Sequence, residues 1–161
     1  MAGECDFNET EIPYVNKAEQ YCAASEQCCA TVREKLAAWG AERGLAERIV
    51  EHLEAEGYID EARYCRIYSE SKLHLQKWGR KKIAYQLRLK RIDTSLIAEA
   101  LEQLDRRQYE DTLRQLAESK NRAMKEGDPR KRRAKLTAFL ASHGFESDEI
   151  HNVINQLTEI S

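Results

Sequence analysis

The 161-residue chain has few residues that interrupt helices, with only 7 glycines and 2 prolines. It lacks any run of about 18 uncharged apolar residues, which argues against a transmembrane span. Its first residues are acidic, where a secretory signal needs a basic stretch before an apolar one, so we expect no such signal. With 42% apolar and 34% charged residues, against about 25% charged in an average globular chain, the composition is typical of a helical protein.

Metal-binding and catalytic motifs are missing as well. The five cysteines are odd in number, form no C-x-x-C pair and stand near no suitably spaced pair of histidines, so we expect no metal and no cofactor. Without a secretory signal, free thiols in a reducing cytoplasm are the expectation. No phosphate-binding glycine loop and no G-x-S-x-G motif occurs. We therefore predict that the protein is not an enzyme.

The net charge of −2 conceals an uneven distribution. Residues 71–92 carry a charge of +8 without one acidic residue, and residues 120–135 carry a net +6. The segments 1–70, 93–119 and 136–161 carry −8, −4 and −4. Two basic blocks thus stand between acidic segments, and each could follow phosphates or meet an acidic protein surface. The alternative is a solvated face that keeps the protein soluble.

The basic residues of both blocks are the candidate contacts. They are Lys77, Arg80, Lys81, Lys82, Arg88, Lys90 and Arg91 in the first block, and Arg130, Lys131, Arg132 and Arg133 in the second. Trp78 and Tyr85 lie among the first set and could stack on nucleic-acid bases. Because aromatic residues at helical spacing usually pack inside, we predict that both belong to the core.

Apolar residues recur at helical spacing along almost the whole chain, which predicts about nine helices joined by short turns. Asp128-Pro129 marks the start of one helix and Gly144 its end, giving a helix over residues 129–143. Glycines such as Gly127 mark other ends. Residues 1–12 are polar, acidic and without periodicity, and we predict that they are disordered.

Two segments repeat one helix-turn-helix pattern without a gap. The aligned pairs are Ile83 with Leu136, Leu87 with Leu140, Ile92 with Phe145, Ile97 with Ile150, Leu101 with Ile154 and Leu104 with Leu157. A weaker copy runs from Leu36 to Leu53, and another predicted helix precedes each copy. The pattern predicts an all-α fold of three tandem three-helix repeats, over residues 13–58, 59–105 and 106–161, in an elongated, curved array.

Several short motifs occur in the chain at family-specific spacing. The central ones are Gly57-Tyr58-Ile59-Asp60-Glu61, Arg63-Tyr64 and Gly79-Arg80-Lys81-Lys82-Ile83, and the outer ones include Arg33-Glu34-Lys35-Leu36, Phe139-Leu140 and Gly144-Phe145. Together these motifs resemble those of a known family, the RecX regulatory proteins, and the resemblance covers about residues 20–157. One departure is Arg91, which stands where the family usually has glycine before an isoleucine.

This resemblance implies three three-helix repeats and a bacterial cytoplasmic regulator. Its partner would be the RecA recombinase, above all the RecA filament on single-stranded DNA, whose strand exchange, ATP hydrolysis and co-protease activity it would mostly inhibit. We expect the candidate basic residues to contact this filament, including the DNA backbone, and the free protein to be a monomer. Two alternatives stay open: a helix-turn-helix module that binds DNA directly, and a helical-repeat scaffold unrelated to DNA.

Overall fold

A computed structural model describes residues 6–160, and in this range every regular element is an α-helix. The helices are α1 (Ile12–Ala24), α2 (Cys29–Ala38), α3 (Arg43–Ala55), α4 (Glu61–Gln76), α5 (Arg80–Leu89), α6 (Thr94–Glu102), α7 (Arg106–Ala123), α8 (Pro129–Ser142) and α9 (Ser147–Ile160). The prediction of an all-α fold is confirmed.

Aspartate side chains cap four of these helices. Backbone N–H groups in the first turns of α4, α6, α7 and α8 donate hydrogen bonds to the carboxylates of Asp60, Asp93, Asp105 and Asp128, respectively. Each carboxylate satisfies a donor that has no partner within its own helix. Pro129 follows Asp128 at the first helical position, so the predicted start of α8 is confirmed.

Glycines in the left-handed region follow the ends of three helices. Gly40, Gly57 and Gly144 have φ angles of 96°, 78° and 93°, after α2, α3 and α8. Gly127 was predicted to end a helix in the same way, but α7 ends earlier, at Ala123. That prediction is wrong because the guanidinium of Arg132, in α8, binds the carbonyl groups of Asn121 and Met124 and so caps α7 before Gly127.

The chain forms two compact units. Unit 1 contains the described residues up to Tyr64 together with Lys90–Ile92, and unit 2 contains Cys65–Leu89 together with residues from Asp93 onward. Helices α1, α2 and α3 pack on one another in unit 1. In unit 2, α5 packs on α6, and α7, α8 and α9 pack on one another.

The core of unit 1 extends to the N-terminal side of α1. Phe7 is buried, its ring meets the edge of His52 with centroids 5.6 Å apart, and the guanidinium of Arg48 lies 5.5 Å from its centroid. Helix α1 then begins at Ile12. Disorder was predicted for residues 1–12; the first five lie outside the described residues, and for the rest the prediction is wrong. The segment is ordered because burial of the Phe7 side chain in the core of unit 1 stabilises it, although most of its other residues are polar.

The repeated pattern marks buried positions. In the first segment every aligned residue is buried except Leu101, which is half-buried. In the second segment every aligned residue is buried except Leu157, which is half-buried. Identical spacing therefore fills equivalent interior positions in the two helical hairpins.

The cysteines of the described part are buried and form no disulfide: Cys22, Cys28, Cys29 and Cys65. The prediction of thiols rather than disulfides is confirmed for these four, and Cys5 lies outside the described residues. Among the described residues no group of three or more His, Cys, Asp or Glu side chains is placed to hold a metal ion. No helix in the described range is long and apolar enough to cross a membrane.

Candidate functional site

Helix α5 separates its side chains into two faces. Ile83, Ala84 and Leu87 are buried, because they lie on one side of the helix at spacings of one to four residues. The opposite side carries four exposed residues, Lys81, Tyr85, Arg88 and Leu89. Of these, the aromatic Tyr85 is 55% exposed and the aliphatic Leu89 is 60% exposed. We call these four residues the α5 outer face.

The N-terminus of α5 is held by the turn between α8 and α9. The Gly79 amide donates to the carbonyl of His143 at 2.7 Å, and the Lys81 amide donates to the carbonyl of Gly144 at 2.9 Å. The amide of Arg80 donates to the hydroxyl of Tyr109 at 3.0 Å. Backbone donors that often bind anions at a helix N-terminus are thus already occupied within unit 2.

The side chain of Arg80 belongs to the same internal network. Its Nη1 donates to Oε2 of Glu146 at 3.0 Å and to Oε1 of Glu149 at 3.2 Å, and the guanidinium lies 3.8 Å from the centre of the Tyr109 ring. Tyr109 is fully buried and donates to Oε1 of Glu146 at 2.7 Å. Burial raises the pKa of Tyr109 well above its ordinary value, so its hydroxyl stays a donor at neutral pH. Arg80, a candidate contact in the sequence, therefore joins α5 to α7 and α9.

Trp78 brings two lysines together at the turn between α4 and α5. The ammonium of Lys72 lies 4.9 Å and that of Lys82 4.8 Å from the centre of its ring. Trp78 is half-buried, whereas Tyr85 is exposed. The prediction that Tyr85 belongs to the core is therefore wrong, because it lies opposite Ile83 on the helix.

Two further candidates have left-handed backbone conformations. Lys77 has a φ of 58°, and its carbonyl lies 2.9 Å from Nδ1 of His143. Arg91 has a φ of 59° and is exposed in unit 1, next to the half-buried Lys90. The turn before Ile92 thus keeps the conformation that suits glycine, although an arginine occupies it.

The second basic block divides in the same way. Arg130 and Lys131 are exposed at the start of α8, whereas Arg132 is half-buried. Nη1 of Arg132 donates to the carbonyls of Met124 and Glu126 at 3.2 and 2.7 Å, and Nη2 donates to the carbonyl of Asn121. This arginine is therefore a C-terminal cap for α7.

Arg133 also has a partner inside unit 2, since its guanidinium donates to Oδ1 of Asn155 at 2.9 Å. Sequence reasoning missed Tyr109, because no local pattern distinguishes it from other helical aromatic residues. It also missed the exposure of Leu89, although Leu89 shares the side of α5 that lies away from Ile83.

Two family models match the chain. Residues 60–101 match the model for the second three-helix domain of RecX, and residues 108–154 match the model for the third. Together the matched ranges cover more than half of the chain.

Curated relatives and a solved structure agree with these matches. The Regulatory protein RecX of Clostridium tetani is 34% identical over 128 residues, which are 78% of this chain and 58% of that protein. The Regulatory protein RecX of Prosthecochloris aestuarii is 28% identical over 148 residues, 89% of this chain and 92% of that protein. The chain thus spans about three fifths of the length of the clostridial relative.

The crystal structure of RecX from Lactobacillus salivarius superposes with a TM-score of 0.81 at 23% identity, covering 92% of this chain and 96% of that one. At this level of identity the likeness shows the fold.

Proposed function

Because the chain belongs to the RecX family of regulatory proteins, we propose that it regulates a RecA recombinase by binding the RecA filament on single-stranded DNA. It would mostly inhibit strand exchange, ATP hydrolysis and co-protease activity, without catalysis of its own. Such a partner would place it in the bacterial cytoplasm. The α5 outer face is the proposed contact, with Arg130 and Lys131 as a second contact.

The observation that carries this proposal is the electrostatic state of the α5 outer face. Lys81 and Arg88 are exposed, and within the described residues neither side chain has a carboxylate within 4.0 Å. Residues 71–92 hold no acid that could neutralise them. Cations without internal partners attract phosphates and acidic protein surfaces, and a nucleoprotein filament offers both.

Direct DNA reading by a helix-turn-helix is the second candidate, and the exposed Tyr85 beside two cations favours it, since aromatic rings stack on unpaired bases. A recognition helix, however, reads base edges with residues at its N-terminal end. The N-terminal end of α5 instead packs within unit 2, where the amides of Gly79, Arg80 and Lys81 donate to His143, Tyr109 and Gly144. This arrangement supports a contact along the side of α5 rather than at its tip.

The decisive experiment follows ATP hydrolysis by RecA from the same organism on single-stranded DNA. The wild-type chain should lower the rate of hydrolysis. The double variant Lys81→Glu with Arg88→Glu should reach the same inhibition only at a concentration about tenfold higher or more. The matched control is Arg43→Glu with Arg107→Glu, which changes charge equally at two exposed arginines elsewhere and should inhibit like the wild type. The chain alone should hydrolyse no ATP.

Unchanged hydrolysis at a saturating ratio of the wild-type chain would contradict regulation of RecA. Affinity for bare single-stranded DNA that falls steeply with salt, with a slope of roughly −0.7 per phosphate, together with no effect on RecA, would support the DNA-binding candidate.

A further inference from the structure

Exposed large apolar side chains are confined to one region of the described residues. They are Ile67 and Leu75 on α4, at 42% and 75% exposure, and Tyr85 and Leu89 on α5, at 55% and 60%. All lie between Cys65 and Leu89 in unit 2, a segment that overlaps the basic block. Exposed apolar side chains that lie next to each other and are bordered by polar groups mark interaction sites, whereas single exposed ones are normal on a solvated surface.

The spacing on α5 makes Tyr85 and Leu89 neighbours. They are four residues apart and therefore lie one turn from each other on the same side of the helix. Lys81 precedes Tyr85 by four residues, and Arg88 adjoins Leu89 in the chain. An aromatic and an aliphatic side chain are thus bordered by two cations, with no carboxylate between Ser71 and Ile92.

We propose that Tyr85 and Leu89 form an apolar anchor that docks into a depression on a protein surface bordered by carboxylates, which pair with Lys81 and Arg88. This inference rests on the proposed function and assigns the α5 outer face to the protein subunits of the filament rather than to its DNA. Charge complementarity sets the acidic border of the partner, and the anchor sets its apolar centre.

The chemistry of Leu89 favours a protein over a nucleic acid. A leucine has no π face on which a base could stack, and stacking platforms for single strands use aromatic side chains in succession. The other aromatic residue nearby in the chain, Trp78, is half-buried. The ammonium groups of Lys72 and Lys82 already lie 4.9 and 4.8 Å from the centre of its ring. Tyr85 therefore has no exposed aromatic neighbour on α5 with which to bind successive bases.

The position of the anchor on α5 also favours a contact with a protein surface over a contact with phosphates. Phosphate binding at α5 would use the amides at its N-terminus, but those of Gly79 and Lys81 donate to the turn after α8, and that of Arg80 donates to Tyr109. Leu89, by contrast, is the last residue of α5. The anchor thus lies at the end of the helix that faces away from the occupied N-terminus.

The test measures the affinity of the labelled chain for RecA filaments, for RecA without DNA and for bare single-stranded DNA, between about 50 and 300 mM salt. Tyr85→Ser with Leu89→Ser should raise Kd for the filament and for free RecA about tenfold at every salt concentration, with the salt dependence unchanged. Lys81→Gln with Arg88→Gln should instead make the salt dependence shallower. Affinity for bare DNA should not depend on Tyr85 or Leu89.

Matched variants keep the experiment specific. Ile67→Ser with Leu75→Ser removes an equally exposed apolar pair from α4 and should leave Kd unchanged. Tyr85→Phe with Leu89→Met, which preserves the apolar character, should restore binding. Because all four positions are exposed, melting curves should coincide with the wild type.

Three results would overturn the anchor. The first is equal loss of affinity for bare DNA, which would assign Tyr85 to base stacking. The second is equal weakening by the α4 pair, and the third is wild-type affinity of the α5 pair for RecA. A wild-type chain that neither binds nor inhibits RecA would overturn the proposed function as well, whereas inhibition that survives the loss of Tyr85 and Leu89 would overturn the anchor alone.

Discussion

The backbone of Gly79, just before α5, lies directly against that of Gly144, just after α8. A Cβ atom built on Gly79 would approach the carbonyl carbon and oxygen of Gly144 to 2.5 Å. The Gly79 amide donates to the carbonyl of His143, and the Lys81 amide donates to that of Gly144. The contact therefore requires glycine at position 79. At Gly144 a Cβ atom would clash with Lys82, and the φ of 93° is a second reason for glycine there.

We therefore expect Gly79→Ala to destabilise the protein by about 2 kcal/mol or more, because backbone atoms on both sides must separate. Urea unfolding followed by far-UV circular dichroism measures the loss. The control is Gly127→Ala, where a Cβ would meet no atom within 4 Å and φ is not positive; its unfolding free energy should stay within about 0.5 kcal/mol of the wild type. Equal stability of the two variants would contradict the close approach.

Arg80 and Lys81 are adjacent in sequence and should respond differently to the loss of charge. Arg80→Gln leaves the carboxylates of Glu146 and Glu149 without their cation and should cost about 1–3 kcal/mol of stability. Lys81→Gln changes an exposed side chain and should leave stability within about 0.5 kcal/mol. Thermal melts of the two variants at one pH measure the difference in stability. Equal melting temperatures would show that Arg80 does not stabilise the fold through Glu146 and Glu149.

Glu149 should make the protein less stable as pH rises. Burial first, and the nearby Glu146 second, raise its pKa above the ordinary value of 4.5, and the cation of Arg80 only partly offsets this. Above about pH 4.5 the unfolded chain has lost this proton while the folded chain still holds it. The folded state then binds more protons than the unfolded state, so the unfolding free energy falls until pH passes the raised pKa.

The variant Glu149→Gln tests this dependence, since it cannot ionise. Its stability relative to the wild type should rise from pH 4 towards pH 7, which urea titrations at several pH values measure. Taking the difference cancels Glu61, whose pKa is also raised, chiefly by burial. Parallel curves for the two proteins would show that Glu149 ionises normally in the folded state.

Arg91 occupies a left-handed conformation, with φ at 59°. Such a backbone costs a residue with a side chain about 1 kcal/mol relative to glycine. Arg91→Gly should therefore be about 1 kcal/mol more stable than Arg91→Ala. At Gln115, exposed in the middle of α7, the order should reverse by a similar amount, because glycine weakens a helix interior. Chemical denaturation of the four variants checks both differences, and the same order at both positions would contradict the left-handed turn.

Much of the fold follows from local patterns. Asp128-Pro129 specifies the start of α8, and Gly144 specifies its end, because caps and left-handed glycines act on the residues beside them. The spacing of Ile83 and Leu87 identifies the buried side of α5 in the same way. Errors arose where distant residues intervene: Phe7 is ordered by His52 and Arg48, which lie in α3.

The candidate site was only partly predictable for the same reason. The sequence identifies residues 71–92 as a basic block but does not distinguish its members. Arg80 differs from Lys81 because its carboxylate partners stand 66 and 69 residues further along the chain. Arg132 differs from Lys131 because its guanidinium reaches the carbonyl groups at the end of α7.

The sequence by itself determined the helices, the internal repeat and the family, because periodicity, caps and motifs are properties of neighbouring residues. Only the tertiary structure decided which cations are exposed on α5 and which hold helices together. It also decided that Tyr85 and Leu89 lie on the surface, since exposure depends on which helices pack against α5. Contacts between residues far apart in the chain depend on that packing, which no short segment encodes.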